Sequence, residues 1–95
     1  RAEASGELLK LANRQQMLFA EQARYTADLT ELGYPTSTYL IASGRFVISA
    51  ALTPDGYRLF ADAAGPQQAD VNCLQFQLDH DGIKESKPKS DCWTQ

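Results

Sequence analysis

The sequence predicts an α+β domain in which one long amphipathic helix is followed by four antiparallel strands. Apolar residues recur at helical spacing over residues 4–24, and after residue 44 the apolar period changes to two. Aspartate–glycine turns at residues 53–56 and 79–82 separate strand-like segments, as hairpins require. The 95 residues fit one globular domain, 1–95, without internal boundary or repeat.

The N-terminal helix is predicted over residues 4–24, where no proline interrupts a run of good helix formers. One side of this helix is apolar, and we expect that side to face the sheet. The predicted helix–sheet core contains Leu8, Leu11, Leu18 and Phe19. The chain opens inside this helical pattern, so we expect it to be trimmed from a longer parent protein.

The connector at residues 25–44 is expected to have little regular structure, and connectors of this length are often functional. Thr26 is the predicted N-cap of a short helical turn that ends at Gly33. Tyr34 and Tyr39 are candidate surface interaction residues in this segment.

The antiparallel sheet is predicted over residues 45–84, with alternate residues facing the core. A short fourth strand is expected around Ile83, and the polar tail at residues 85–91 is expected to form none. The predicted inward residues are Phe46, Ile48, Ala50 and Leu52 on the first strand, Tyr57, Leu59, Ala61 and Ala63 on the second, and Leu74, Phe76 and Leu78 on the third.

Two cysteines, Cys73 and Cys92, are typical either of one disulfide, the interpretation that we favour, or of two buried thiols. A disulfide would indicate an oxidising compartment and would contribute about 3 kcal/mol of stability. The single histidine, His80, leaves too few ligands for a zinc site of cysteines and histidines.

The formal net charge of −3 argues against nucleic acid as a partner. Lys84, Lys87 and Lys89 form a small basic cluster, a candidate surface for an acidic partner or DNA, although solvated charge is the commoner role. The turn at residues 79–82 lacks the further ligands of a calcium loop, and no nucleophile or phosphate-binding glycine motif stands out. We therefore expect no enzymatic activity, metal, cofactor or small-molecule substrate.

Five segments in order resemble a type IV pilin that lacks the membrane-spanning first half of its helix, and more narrowly a minor pilin of the PilE type. The first two are similar to the pilin stem and helix exit, the third to the second strand, and the last two to the flanks of the C-terminal cysteines. These segments are residues 8–16 (LLKLANRQQ), 25–34 (YTADLTELGY), 57–61 (YRLFA), 65–73 (GPQQADVNC), and 82–84 (GIK) with 92–93 (CW).

The resemblance implies the type IV pilin fold, with a long helix on a four-stranded antiparallel sheet and residues 25–44 as the αβ-loop. It further implies that Cys73 and Cys92 form a structural disulfide bounding the D-region, residues 73–92. A leader cut by a prepilin peptidase and an apolar anchoring helix are expected for the parent protein only.

The function implied is that of a structural minor pilin that primes or joins assembly of the type IV pilus and supports twitching motility and adhesion. The implied partners are other minor pilins, the major pilin and the inner-membrane assembly machinery, with the membrane contacted through the missing helix. The implied location is the inner membrane with a periplasmic domain, then the cell-surface pilus. A type II secretion pseudopilin and a free-standing periplasmic binding or inhibitor module are the alternatives.

Overall fold

The computed structural model describes residues 1–94 and opens with one long helix. Helix α1 spans Ala2–Gln22, two residues earlier at each end than predicted. It ends because Ala23 adopts a left-handed conformation, with φ of 56°, and its N–H donates to the carbonyl of Phe19. Within the described residues, no helix is both long and apolar enough to cross a membrane.

One side of α1 is buried against the sheet. Leu8 and Leu11 are fully buried and Leu18 is 8% exposed, whereas Phe19 is 46% exposed. The core prediction for Phe19 is therefore wrong. Residue 19 lies about 100° further round the helix than Leu18. Its ring stacks on Tyr25 with 4.8 Å between centroids.

The connector contains a short 3₁₀ helix, Leu29–Leu32, that turns the chain back toward α1. Its N-cap is Asp28, whose carboxylate accepts from the N–H of Thr30, and not Thr26 as predicted. Gly33 ends the segment as predicted, with φ of 91°. Leu29 and Leu32 are buried, so the connector closes one end of the core.

The sheet has five antiparallel strands in sequence order, one more than predicted. The extra strand is a two-residue edge strand at the end of the connector, too short to show a period in the sequence. The strands are β1 Tyr39–Leu40, β2 Phe46–Thr53, β3 Gly56–Ala63, β4 Cys73–Asp79 and β5 Lys84–Pro88.

The last strand also differs from prediction. β5 begins at Lys84 and includes much of the polar tail for which the sequence predicts no strand. Its residues are polar, but Ser86 is 5% exposed, lies opposite the buried Phe76 and accepts from the backbone N–H of Cys92 at 3.1 Å. Hydrogen bonding to β4 thus forms this strand without an apolar period of its own.

Two residues predicted to be buried in the core are exposed. Leu74 is 37% exposed because the register between β4 and β5 shifts between Cys73 and Gln75, as at a β-bulge. Leu52 is 56% exposed because it lies at the end of β2, next to the turn into β3.

A pair of truncations separates the two sides of α1. We expect Leu11→Ala to lower the free energy of unfolding by about 2–5 kcal/mol, because it leaves a cavity under the helix. Phe19→Ala, the matched control, should cost less than about 1 kcal/mol. Denaturant unfolding measures both; equal losses would contradict the placement of Phe19 outside the core.

Candidate interaction surfaces

The C-terminal region is closed by a disulfide between Cys73 and Cys92, which confirms the interpretation favoured from the sequence. Both cysteines are about 1% exposed, and their Cα atoms are 5.9 Å apart. The bond joins the first residue of β4 to the short 3₁₀ helix Cys92–Thr94. The loop after β5 is therefore fixed to the sheet at both ends.

Trp93 covers the free edge of β5. Its indole N–H donates to the carbonyl of Glu85 at 2.6 Å, and its ring lies edge-to-face with Phe76 at 5.8 Å. The ammonium of Lys84 lies 5.6 Å from the centre of the indole ring. A large aromatic side chain thus satisfies one edge carbonyl and shields the strand from pairing with another chain.

The structure divides the three lysines between two sides of the sheet. Lys84 lies opposite the buried Leu78 and therefore on the helix side, whereas Lys87 lies opposite Gln75 on the other side. Lys89 follows the strand, where its backbone N–H donates to the carbonyl of Asn72 at 3.0 Å. All three side chains are exposed.

None of these lysines takes part in an ion pair among residues 1–94. Other basic residues of 1–94 do form ion pairs: Arg1 pairs with Asp70 at 2.8 Å, and Arg24 pairs with Glu31 at 2.5 Å. The three ammonium groups can therefore meet an anion without breaking an ion pair. We call them the basic edge, because they lie on or just after the edge strand β5, with Lys84 and Lys87 on its two sides.

The αβ-loop is held against α1 by a buried amide. The side chain of Gln15, fully buried, donates to the carbonyl of Thr26 at 2.7 Å and accepts from its N–H at 3.1 Å. Gln15 is not among the residues predicted to be functional, although a glutamine in the middle of an apolar stripe needs buried partners. The position of Gln15 within the apolar stripe was therefore the feature of the sequence that could have predicted its contact with Thr26.

Tyr34 does not lie on the surface, contrary to the prediction. It is 8% exposed, and its hydroxyl donates to a carboxylate oxygen of Glu7 at 2.7 Å. Burial, then the hydrogen bond to Glu7, raise the pKa of Tyr34. The guanidinium of Arg14 lies 5.3 Å above its ring, and Tyr39 packs edge-to-face at 5.2 Å. Tyr34 therefore joins the loop to the helix.

A groove of about 480 Å³ runs between α1 and the αβ-loop. Both cations and carboxylates line it, so it has no single sign of charge to attract an anionic partner. Its lining includes Lys10, Arg14, Met17, Glu21 and Glu31. Within the described chain, no cluster of three or more histidine, cysteine or acidic residues could hold a metal ion.

A long helix on one side of an antiparallel sheet, with a disulfide-closed C-terminal region, defines a type IV pilin domain. The family model described as "Type IV minor pilin ComP, DNA uptake sequence receptor" matches residues 1–77. The match covers most of the chain, and the chain belongs to this family: it is a type IV minor pilin. No curated protein matches it.

The disulfide predicts a stability difference. Replacing Cys73 and Cys92 together with serine should lower the free energy of unfolding by about 3 kcal/mol, because the unfolded chain gains freedom. Urea unfolding with and without reductant measures the loss. If reduction of the parent protein leaves its midpoint unchanged, the disulfide is not stabilising.

A second prediction concerns pH. Hydrogen bonds from Arg24, then from Thr26, lower the pKa of Glu31. Because the pKa of Glu31 is lower in the folded state, its ionised contact stabilises the fold at pH values above the pKa of the unfolded chain. This stabilisation is lost as pH falls through the pKa of the folded state. Arg24→Gln should raise the pKa of Glu31 toward its usual value, as measured by NMR titration, whereas Arg45→Gln should leave it unchanged.

Proposed function

We propose that this minor pilin is a receptor for DNA at the surface of the type IV pilus. The name of the matched family, a DNA uptake sequence receptor, supports this proposal. It reverses the expectation from net charge that nucleic acid is not a partner. The sequence was expected to be of the PilE type, whereas the matched family is described by the name ComP, so we propose the ComP type instead.

The observation that supports DNA binding most directly is that the disulfide-closed region has three lysines that form no ion pair within residues 1–94. Lys84, Lys87 and Lys89 are exposed, and within residues 1–94 no carboxylate forms an ion pair with them. A phosphate backbone attracts such ammonium groups and releases its counterions when they bind. Because the cysteines fix the segment, little ordering entropy is lost on binding.

We propose that the protein is a structural subunit that assembles into the pilus and catalyses no reaction. The anchoring helix expected for the parent protein would hold the subunit in the inner membrane before assembly, with other minor pilins and the major pilin as neighbours. Twitching motility and adhesion would then be functions of the assembled filament. Detection of the protein in pili sheared from cells, and its absence from the sheared fraction of non-piliated mutants, would test this part.

The lysines give a direct test of DNA binding. We expect the Lys84→Gln, Lys87→Gln, Lys89→Gln triple variant to bind labelled DNA more weakly and to reduce the slope of log affinity against log salt by about 2–3. Fluorescence anisotropy with duplex and single-stranded oligonucleotides measures both quantities.

A matched control neutralises a lysine on α1, far from the disulfide. Lys10→Gln should leave affinity and salt slope close to those of the parent. If the parent binds neither form of DNA at low salt, the proposed function is wrong. If Lys10→Gln weakens binding as much as the triple variant does, the basic edge is not the contact.

A further inference from the structure

One side of the sheet is left uncovered by α1. Buried residues on β3, such as Tyr57 and Leu59, face the helix and the core. Successive residues of a strand point to opposite sides, so Arg58 and Phe60 face away from the helix. β3 is the middle strand of five, and both residues therefore lie at the centre of the open side.

Phe60 is a half-buried aromatic residue on this otherwise largely polar side. Its cross-strand neighbours are Ser49 on β2 and Gln77 on β4. Among the described residues its ring pairs with no other aromatic ring, whereas Phe46, Phe76 and Trp93 pair with one another in or beside the core. The exposed part of the Phe60 side chain is thus available to a ligand without displacing another aromatic ring.

Arg58 has an unmet hydrogen-bonding requirement. Its Nε is buried and has no hydrogen-bond partner within residues 1–94, and its guanidinium is in no ion pair there. Asp79 lies opposite it on β4, but accepts from the N–H groups of Asp81 and Ile83 in the turn. The residue as a whole is half-buried, and the other N–H groups of its guanidinium match the oxygens of a phosphate.

Gln75 and Lys87 extend the same side toward the basic edge. They lie opposite each other on β4 and β5, and Lys87 belongs to the lysines proposed above to meet DNA. The Gln75 amide accepts from Gln77 at 2.6 Å and donates to Asp62 at 2.7 Å. Lys87 lies two strands from Phe60 and about two residues along, so roughly 12 Å separates them at the usual strand spacing and rise.

We propose that Arg58, Phe60, Gln75 and Lys87, the sheet strip, bind a single-stranded segment of DNA. A base stacks on Phe60, and Arg58 and Lys87 contact phosphates on either side. The proposal rests on the proposed function, since it locates the contact within a DNA receptor. Single strands fit because base faces in a duplex are already stacked on their neighbours, whereas an unpaired base can stack on an aromatic side chain.

The acidic residues on this side limit how the strand can bind. Asp62 and Glu85 flank the strip, and the Asp62 carboxylate is already hydrogen-bonded to Gln75. Phosphates are therefore repelled from the middle of the sheet and directed to the two cations. Stacking then provides much of the affinity of the strip, to which Arg58 and Lys87 each add a salt-dependent contribution of about 0.7 in slope.

The test measures anisotropy of a labelled single strand and of its duplex with Phe60→Leu and Arg58→Gln. Each should weaken single-strand binding by about tenfold, the range seen when one base–aromatic stack is removed. Arg58→Gln should also reduce the salt slope by about 0.7. Phe60→Trp, which keeps a stacking ring, should retain binding, and Lys10→Gln on the helix side should change nothing.

The outcomes separate the two proposals. If the parent binds DNA but Phe60→Leu and Arg58→Gln bind the single strand as well as Lys10→Gln does, the sheet strip is wrong and DNA binding stands. A parent that binds only duplex also overturns the sheet strip and leaves DNA binding intact. A parent that binds no DNA overturns the proposed function and this inference with it. Unfolding midpoints show whether each variant is folded.

Discussion

The contact between α1 and one side of the sheet determines the arrangement of the whole domain. Leu8 and Leu11 on the helix share one core with Phe46, Leu59 and Phe76 from three strands. Because strand residues alternate, burying one side fixes which residues face solvent on the other. Arg58 and Phe60 lie on the open side as a consequence of this contact, because the residues next to them along the strand are buried in the core.

Gln15 extends the same contact to the αβ-loop. On the buried side of the helix, its side-chain amide bonds both the carbonyl and the N–H of Thr26, in place of a backbone partner. A buried glutamine without both bonds would cost free energy, so the loop is held in one position relative to α1. The hydrogen bond from Arg14 to the carbonyl of Leu32, at 2.6 Å, holds the same loop further along the helix.

Periodicity in the sequence predicted the elements that bury many apolar residues. The helix and the strands β2, β3 and β4 each have enough apolar positions to show their period. Edge strands do not: β1 has two residues, and β5 is polar and depends on pairing with β4. The division of the lysines between two sides, and the burial of Tyr34, depend on register and loop packing, which local sequence does not encode.

An acidic domain that meets DNA must rely on the local arrangement of charge. Screening limits exposed charges to roughly 8–10 Å at physiological salt, so a net charge of −3 matters less than the groups beside the strand. The Asp62 carboxylate is hydrogen-bonded to Gln75, and the Asp79 carboxylate to turn amides. Arg58 and Lys87 are in no ion pair of residues 1–94, so their charges are available to a ligand on this side of the sheet. Two cations release few counterions, so the recognition proposed for this side of the sheet depends more on the aromatic ring than on net charge.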